Sequence, residues 1–115
     1  MKTKEITING KNYAIVFNVK TMMNFEEISG KSFFGEDFSH LKERIAIIIA
    51  AVLSANEKVT LTVEEIIEGE EYKSLQEIFA AYRAVMELAG EFFQVPEIEK
   101  QNEPELKEDD DKPKN

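Results

Sequence analysis

Few residues in this chain have the type and spacing that chemistry requires. His40 is the only histidine and there is no cysteine, so a thiolate or multi-imidazole zinc site lacks donors. No serine-centred elbow or other nucleophile motif accompanies His40, which reads as a surface residue at a helix start. Gly30-Lys31-Ser32 matches the end of a phosphate-binding loop signature. The glycine required five residues earlier is Phe25, and a helix rather than a strand precedes the loop. A helix C-cap followed by a loop accounts for the same three residues. The doublets Glu26-Glu27, Glu64-Glu65 and Glu70-Glu71 offer paired carboxylates. Neighbours on a helix point about 100° apart, so each pair splits its charge over a solvated face. Asp109-Asp110-Asp111 lacks the alternation and the glycine of a calcium loop. These residues provide no catalytic constellation, no metal site and no cofactor site, and the expectation is a non-enzyme.

The aromatic residues are the better candidates. Phe33, Phe34 and Phe38 crowd one loop, and Phe92-Phe93 ends the last helical pattern. Loops carry function and aromatic side chains anchor protein interfaces. The loop phenylalanines equally suit a plug for the open end of a small core. One of Phe92 and Phe93 continues a helical stripe, leaving the other for contact. These five are the candidate protein-binding residues.

Composition bounds the partners. The chain has 115 residues and a formal charge of −9, from 23 acidic and 14 basic side chains. That charge repels nucleic-acid backbones and anionic membrane surfaces, while a basic protein partner is allowed. The N-terminus MKTKEITING has no apolar signal region, which points to a cytosolic protein. The composition divides the chain into a domain over 1–95 and an acidic tail over 96–115. The tail holds eight acidic and four basic residues, with Ile98 and Leu106 as its sizeable aliphatics, so disorder is expected there.

The elements that must position the aromatics follow from periodicity. The unbroken apolar run Ile45 to Leu53 lies within Leu41–Leu53. Leu41, Ile45, Ile48 and Val52 fall on one helical face, and Ile47, Ile49, Ala51 and Leu53 cover most of the rest. A helix apolar all round must be covered all round, so this is the central helix. It is too short for a bilayer, which needs about 20 apolar residues. Ser39 or Asp37 is the expected cap, and Asn56-Glu57-Lys58 the break.

Upstream, Lys4–Phe17 reads as a β-hairpin around an Asn9-Gly10 type I′ turn, with Ile6 opposite Tyr13 and Ile6, Ile8, Tyr13 and Ile15 on one face. A lone hairpin is marginal in water, so it packs on the helices or lends its edges to another chain. Asn18 caps a helix over Val19–Ile28, ended at Ser29-Gly30, whose apolar residues are Val19, Met22, Met23, Phe25 and Ile28. Thr62 to Glu65 forms a capping box for a short helix ending at Gly69. From about Glu70 a stripe of Tyr72, Leu75, Phe79, Tyr82, Met86, Ala89 and Phe93, widened by Ile78, Val85 and Phe92, should bury against the central helix. Glu71, Glu77, Arg83, Glu87 and Glu91 should stay wet. The fold class is mainly α (α+β), an N-terminal hairpin followed by a bundle of about four helices.

Ile6 to Lys11, Tyr13 to Phe17, the FEEISGKS of Phe25–Ser32, the alanine- and isoleucine-rich helix, and Leu61 to Ile67 leading into a long helix occur in a telling order. Over residues 4 to 93 this order resembles the phage tail assembly chaperones encoded between the tail tube and tape-measure genes of long-tailed phages and prophages. The resemblance implies a small, acidic, non-enzymatic protein of the host cytoplasm, absent from the mature virion. Its implied partners are the helical tape-measure protein, which it would keep soluble, and the tail tube protein, whose subunits it would help recruit. Many such chaperones also have a longer frameshifted form. No site residue is carried over from the resemblance. A self-associating adaptor, a homo-oligomer built through the hairpin edge or the long-helix stripe, is the alternative.

Overall fold

The computed structural model describes residues 2–94, and the tail expected over 96–115 lies outside them. An antiparallel hairpin, β1 (Lys4–Ile8) and β2 (Lys11–Ile15), precedes four helices: α1 (Val19–Ser29), α2 (Leu41–Ala55), α3 (Val63–Ile67) and α4 (Tyr72–Phe92).

Local chemistry accounts for most boundaries. Asn9 and Gly10 take φ of 50° and 82°, the left-handed pair that a type I′ turn needs. The register sets Ile6 opposite Tyr13, with Ile6, Ile8 and Ile15 buried. The ladder stops at Ile15, short of Phe17, because Val16 turns its N–H to the Ala51 carbonyl of α2 at 3.4 Å. Asn18 caps α1 in a reciprocal box with Thr21, and Gly30 closes it at φ 73°. Thr62 and Glu65 form the expected box at α3. That helix ends at Ile67, with Glu68 rather than Gly69 at its C-cap.

The central helix is central. Ile45 to Val52 are all buried, because α1, α4, β2 and α3 pack around α2. The hairpin joins its own domain: β1 lies on α4 and β2 on α2. Lys4 pairs with Glu87 at 2.9 Å and Lys2 with Glu91 at 3.6 Å across the first contact.

Further expectations are corrected. The cap of α2 is His40, in extended backbone and with no side-chain cap bond, not Ser39 or Asp37. Asp37 Oδ1 instead accepts the Ser39 N–H at 3.0 Å, and the Ser39 backbone and hydroxyl together hold the carboxyl below its ordinary range. Between them Phe38 turns the chain at φ 55°, a cost for a bulky residue that burial of its ring must offset.

The buried face of α4 keeps Ile78, Val85 and Ala89 of the expected stripe, but it also takes in Ala81 and Leu88, each one residue before a stripe position. Ile78, Ala81, Val85, Leu88 and Ala89 are buried, whereas Tyr72 is 70% exposed, Phe79 39% and Phe93 47%. One residue is about 100° on a helix, so the large aromatics sit on the shoulder while smaller side chains meet α2. Glu77 is half-buried rather than wet, because its Oε1 accepts the Asn9 N–H at 2.7 Å.

Candidate protein-binding surface

Phe33 is the hub of the aromatic cluster. It is half-buried, with ring centroids 5.7 Å from Phe17, 6.0 Å from Phe25, 5.4 Å from Phe34 and 5.8 Å from Phe38. It stacks on Phe93 at 6.3 Å. Phe92 joins through Phe17 at 5.5 Å and through Phe93 at 5.1 Å. The five candidate phenylalanines, from a loop and from a helix end some sixty positions later, therefore meet in one place. Phe17 and Phe25, not singled out for contact, supply the floor. Tilted and edge-to-face pairs of this kind add about 0.5–1.5 kcal/mol each beyond their area.

The two readings of the loop phenylalanines divide between residues. Phe38 is the plug, 6% exposed, with its ring 5.3 Å from Phe25 and 6.0 Å from Tyr82. Arg44 locks this turn: its Nε donates to the Phe38 carbonyl at 2.7 Å and its guanidinium lies 4.6 Å from the Tyr82 ring centre. Glu26 Oε2 accepts the Phe33 N–H at 3.0 Å and holds the loop's other end. Phe34, by contrast, is 67% exposed, Phe92 42% and Phe93 47%. These three rings form an outward apolar surface on a buried aromatic base. A cavity of about 400 Å³ adjoins it, lined by Phe17, Leu88 and Phe92 and rimmed by Lys2, Glu91 and Gln94. Packing underneath restricts the rings before any partner arrives, which lowers the ordering cost of a contact.

The polar candidates are placed as follows. Gly30 is a helix C-cap whose N–H reaches the Glu26 carbonyl at 2.9 Å. Lys31 Nζ lies 2.5 Å from Glu43 Oε2 and is committed to that carboxylate rather than to a phosphate. Glu65 serves its capping box, and Glu64, Glu70 and Glu71 are exposed. Among the described residues no three histidine, aspartate or glutamate side chains cluster as metal ligands. Asp109–Asp111 lie outside the described residues.

Sequence reasoning passed over Glu43, whose side chain is 3% exposed. Lys31 holds its carboxyl below the ordinary range by hydrogen bonding, against the opposing effect of burial. The signal was available: a helix buried on every side extends that burial back one turn, and Glu43 precedes Ile47 by four residues. No comparable signal marks Phe17 or Arg44.

Comparison with protein families, with curated proteins and with solved structures finds no match to this chain.

Proposed function

We propose that this chain is a non-enzymatic assembly chaperone of long-tailed phages or prophages, which binds the tape-measure protein in the host cytoplasm and helps recruit tail tube subunits without entering the virion. The observation that carries the reading is the convergence of Phe33, Phe34, Phe92 and Phe93 into one partly exposed aromatic surface. An apolar surface on a supported base suits the hydrophobic stripe of a long helix. A formal charge of −9 keeps such a surface soluble in many copies. The order of elements from residue 4 to 93, which resembles that of tail assembly chaperones, supports the phage context. Among the described residues no helix is long and apolar enough to cross a membrane.

Co-expression with the neighbouring long helical reading frame tests this. Soluble yield of that protein should rise with the wild-type chain and fall back with Phe34→Ser/Phe93→Ser. An unchanged yield in repeated trials refutes the reading. A second reading, a self-associating adaptor, is favoured by the two-stranded sheet, which among the described residues has no third strand to cover its edges. It expects a closed oligomer indifferent to the helical partner, and a strictly monomeric protein at high concentration excludes it.

A further inference from the structure

The aromatic surface carries accessible charge at its margins. The segment Phe25–Phe38, which supplies Phe33 and Phe34, holds Glu26, Glu27, Glu36 and Asp37 but only Lys31, a net −3 (one basic minus four acidic). Backbone contacts keep acids from both ends of that segment beside the rings. Glu26 Oε2 accepts the Phe33 N–H at 3.0 Å, and the Glu36 N–H donates to the Phe33 carbonyl at 3.3 Å. Glu26, Glu27 and Asp37 are exposed and Glu36 is half-buried, so a cation arriving from solvent reaches them. Lys31 does not neutralise them, because it is committed to the buried Glu43. Among the described residues, none of the four pairs with a lysine or arginine.

The helix end has the same sign. Phe92 shares its cavity with Glu91 and Gln94, and Glu91 meets Lys2 only at 3.6 Å, an exposed pair worth little. Beyond Gln94 the chain continues into residues 96–115, whose eight acidic and four basic side chains sum to −4. These charges discriminate among the bodies able to cover Phe34, Phe92 and Phe93. A second copy would bring the same acidic margin onto itself, and like charges across an interface disfavour it. The chain's own tail is repelled in the same way and offers only Ile98 and Leu106 as sizeable aliphatics. A helix with cations beside an apolar stripe gains both apolar burial and charge pairing.

We infer that the aromatic surface takes a basic amphipathic helix. Its apolar stripe seats on Phe34, Phe92 and Phe93, and lysines or arginines flanking the stripe meet Glu26, Glu27, Glu36 and the acidic residues after Gln94. This rests on the tape-measure reading above and narrows the partner's held segments to those with basic edges. Apolar contact supplies the affinity, and charge supplies the selection and the rate of encounter.

The probes are three labelled, helix-stabilised peptides sharing a stripe of leucine and phenylalanine, flanked by lysine, glutamine or glutamate. Anisotropy with the full chain at low ionic strength should show the lysine peptide binding about tenfold more tightly than the glutamine peptide, and the glutamate peptide weakest. Screening at about 0.5 M salt should shrink the lysine advantage to about twofold. Phe34→Ser/Phe93→Ser, at two exposed positions, should abolish binding of all three. Glu27→Gln/Glu36→Gln should cut the lysine preference to about threefold, as should the full-length chain with its eight tail carboxylates replaced by amides. Glu70→Gln/Glu71→Gln, some 30 Å away along α4, should leave it unchanged. Equal binding of the lysine and glutamine peptides overturns the inference, yet leaves the tape-measure reading standing where co-expression still raises the partner's soluble yield. Failure of all three peptides to bind also overturns it, as does tighter binding once the tail is neutralised, because the tail then covers the rings. A concentration-dependent dimer that Phe34→Ser dissociates overturns it in favour of a second copy.

Discussion

Replacing Asn9 with glycine should weaken the whole domain although the hairpin turn survives. Asn9 Nδ2 donates to the Glu65 carbonyl at 2.7 Å and to the Ile66 carbonyl at 3.4 Å, carbonyls near the C-terminus of α3 with no partner inside so short a helix. The Asn9 side chain therefore caps α3 from 56 positions earlier in the chain and holds Val63 and Ile67 in place. Glycine tolerates the φ of 50° at this position and retains the backbone N–H that reaches Glu77, so the substitution removes only the side-chain bonds. One short bond and one long one, at a net 0.5–1.5 kcal/mol each, amount to about 1–2 kcal/mol. For a domain of this size that is a fall in Tm of roughly 5–12 °C. Asn9→Asp is the sharper companion. Aspartate also accepts left-handed backbone, but its carboxylate cannot donate to the two carbonyls and stands beside Glu77, so the loss should exceed that of glycine. Thermal and urea melts followed by far-UV circular dichroism measure both. Stabilities of both variants within about 0.5 kcal/mol of wild type, the scale of an ordinary surface change, would refute the capping role.

Gly69→Ala should destabilise the same junction, because an added Cβ would lie 2.5 Å from Asn9 Oδ1 and against the Ser74 side chain; a melt unchanged from wild type would show that the hairpin gives way freely. Phe38→Ala should lower unfolding free energy by about 3 kcal/mol through the cavity it leaves, whereas Phe34→Ser should stay within about 0.5 kcal/mol yet reduce partner solubilisation, and equal effects of the two on stability would contradict the division between plug and surface. The Lys31–Glu43 pair predicts a pH dependence. The folded carboxyl is depressed below 4.5, chiefly by the hydrogen bond from Lys31 with His40 a lesser contributor, so its contribution is present above that pH and lost as pH falls through the folded value. The folded ammonium is raised above 10.5, so its share is present below that pH and lost as pH rises through its folded value. The stability gap between wild type and Lys31→Met should therefore be widest near neutrality and narrow at both extremes, and a gap constant with pH would argue against the pair.

Much of this architecture was legible from short-range chemistry. The Asn9-Gly10 turn, the caps at Asn18 and Thr62, the glycine stop at Gly30 and the all-apolar Ile45–Leu53 run each act within a few residues. A sequence therefore displays them directly, and the structure retains them. Which face of α4 turns inward was not legible, because Ile78–Val85 and Phe79–Tyr82–Met86 are both apolar and both helical in spacing. Only the packing of α4 on α2 and β1 selects the phase, and it places the smaller side chains in the contact and leaves Tyr72 and Phe79 at its edge. The candidate aromatic residues could be named from type and position, but not their meeting, since Phe33–Phe38 and Phe92–Phe93 come together only once α1, α2 and α4 are assembled. The same holds for Glu43 and Asn9. A charged residue in a helix and a polar residue in a turn look solvated from sequence, and their partners lie across the fold. Periodicity and capping are local free-energy preferences that the sequence sets by itself. The register between elements, and with it the aromatic surface and the burial of Glu43, is decided by which apolar faces fit together.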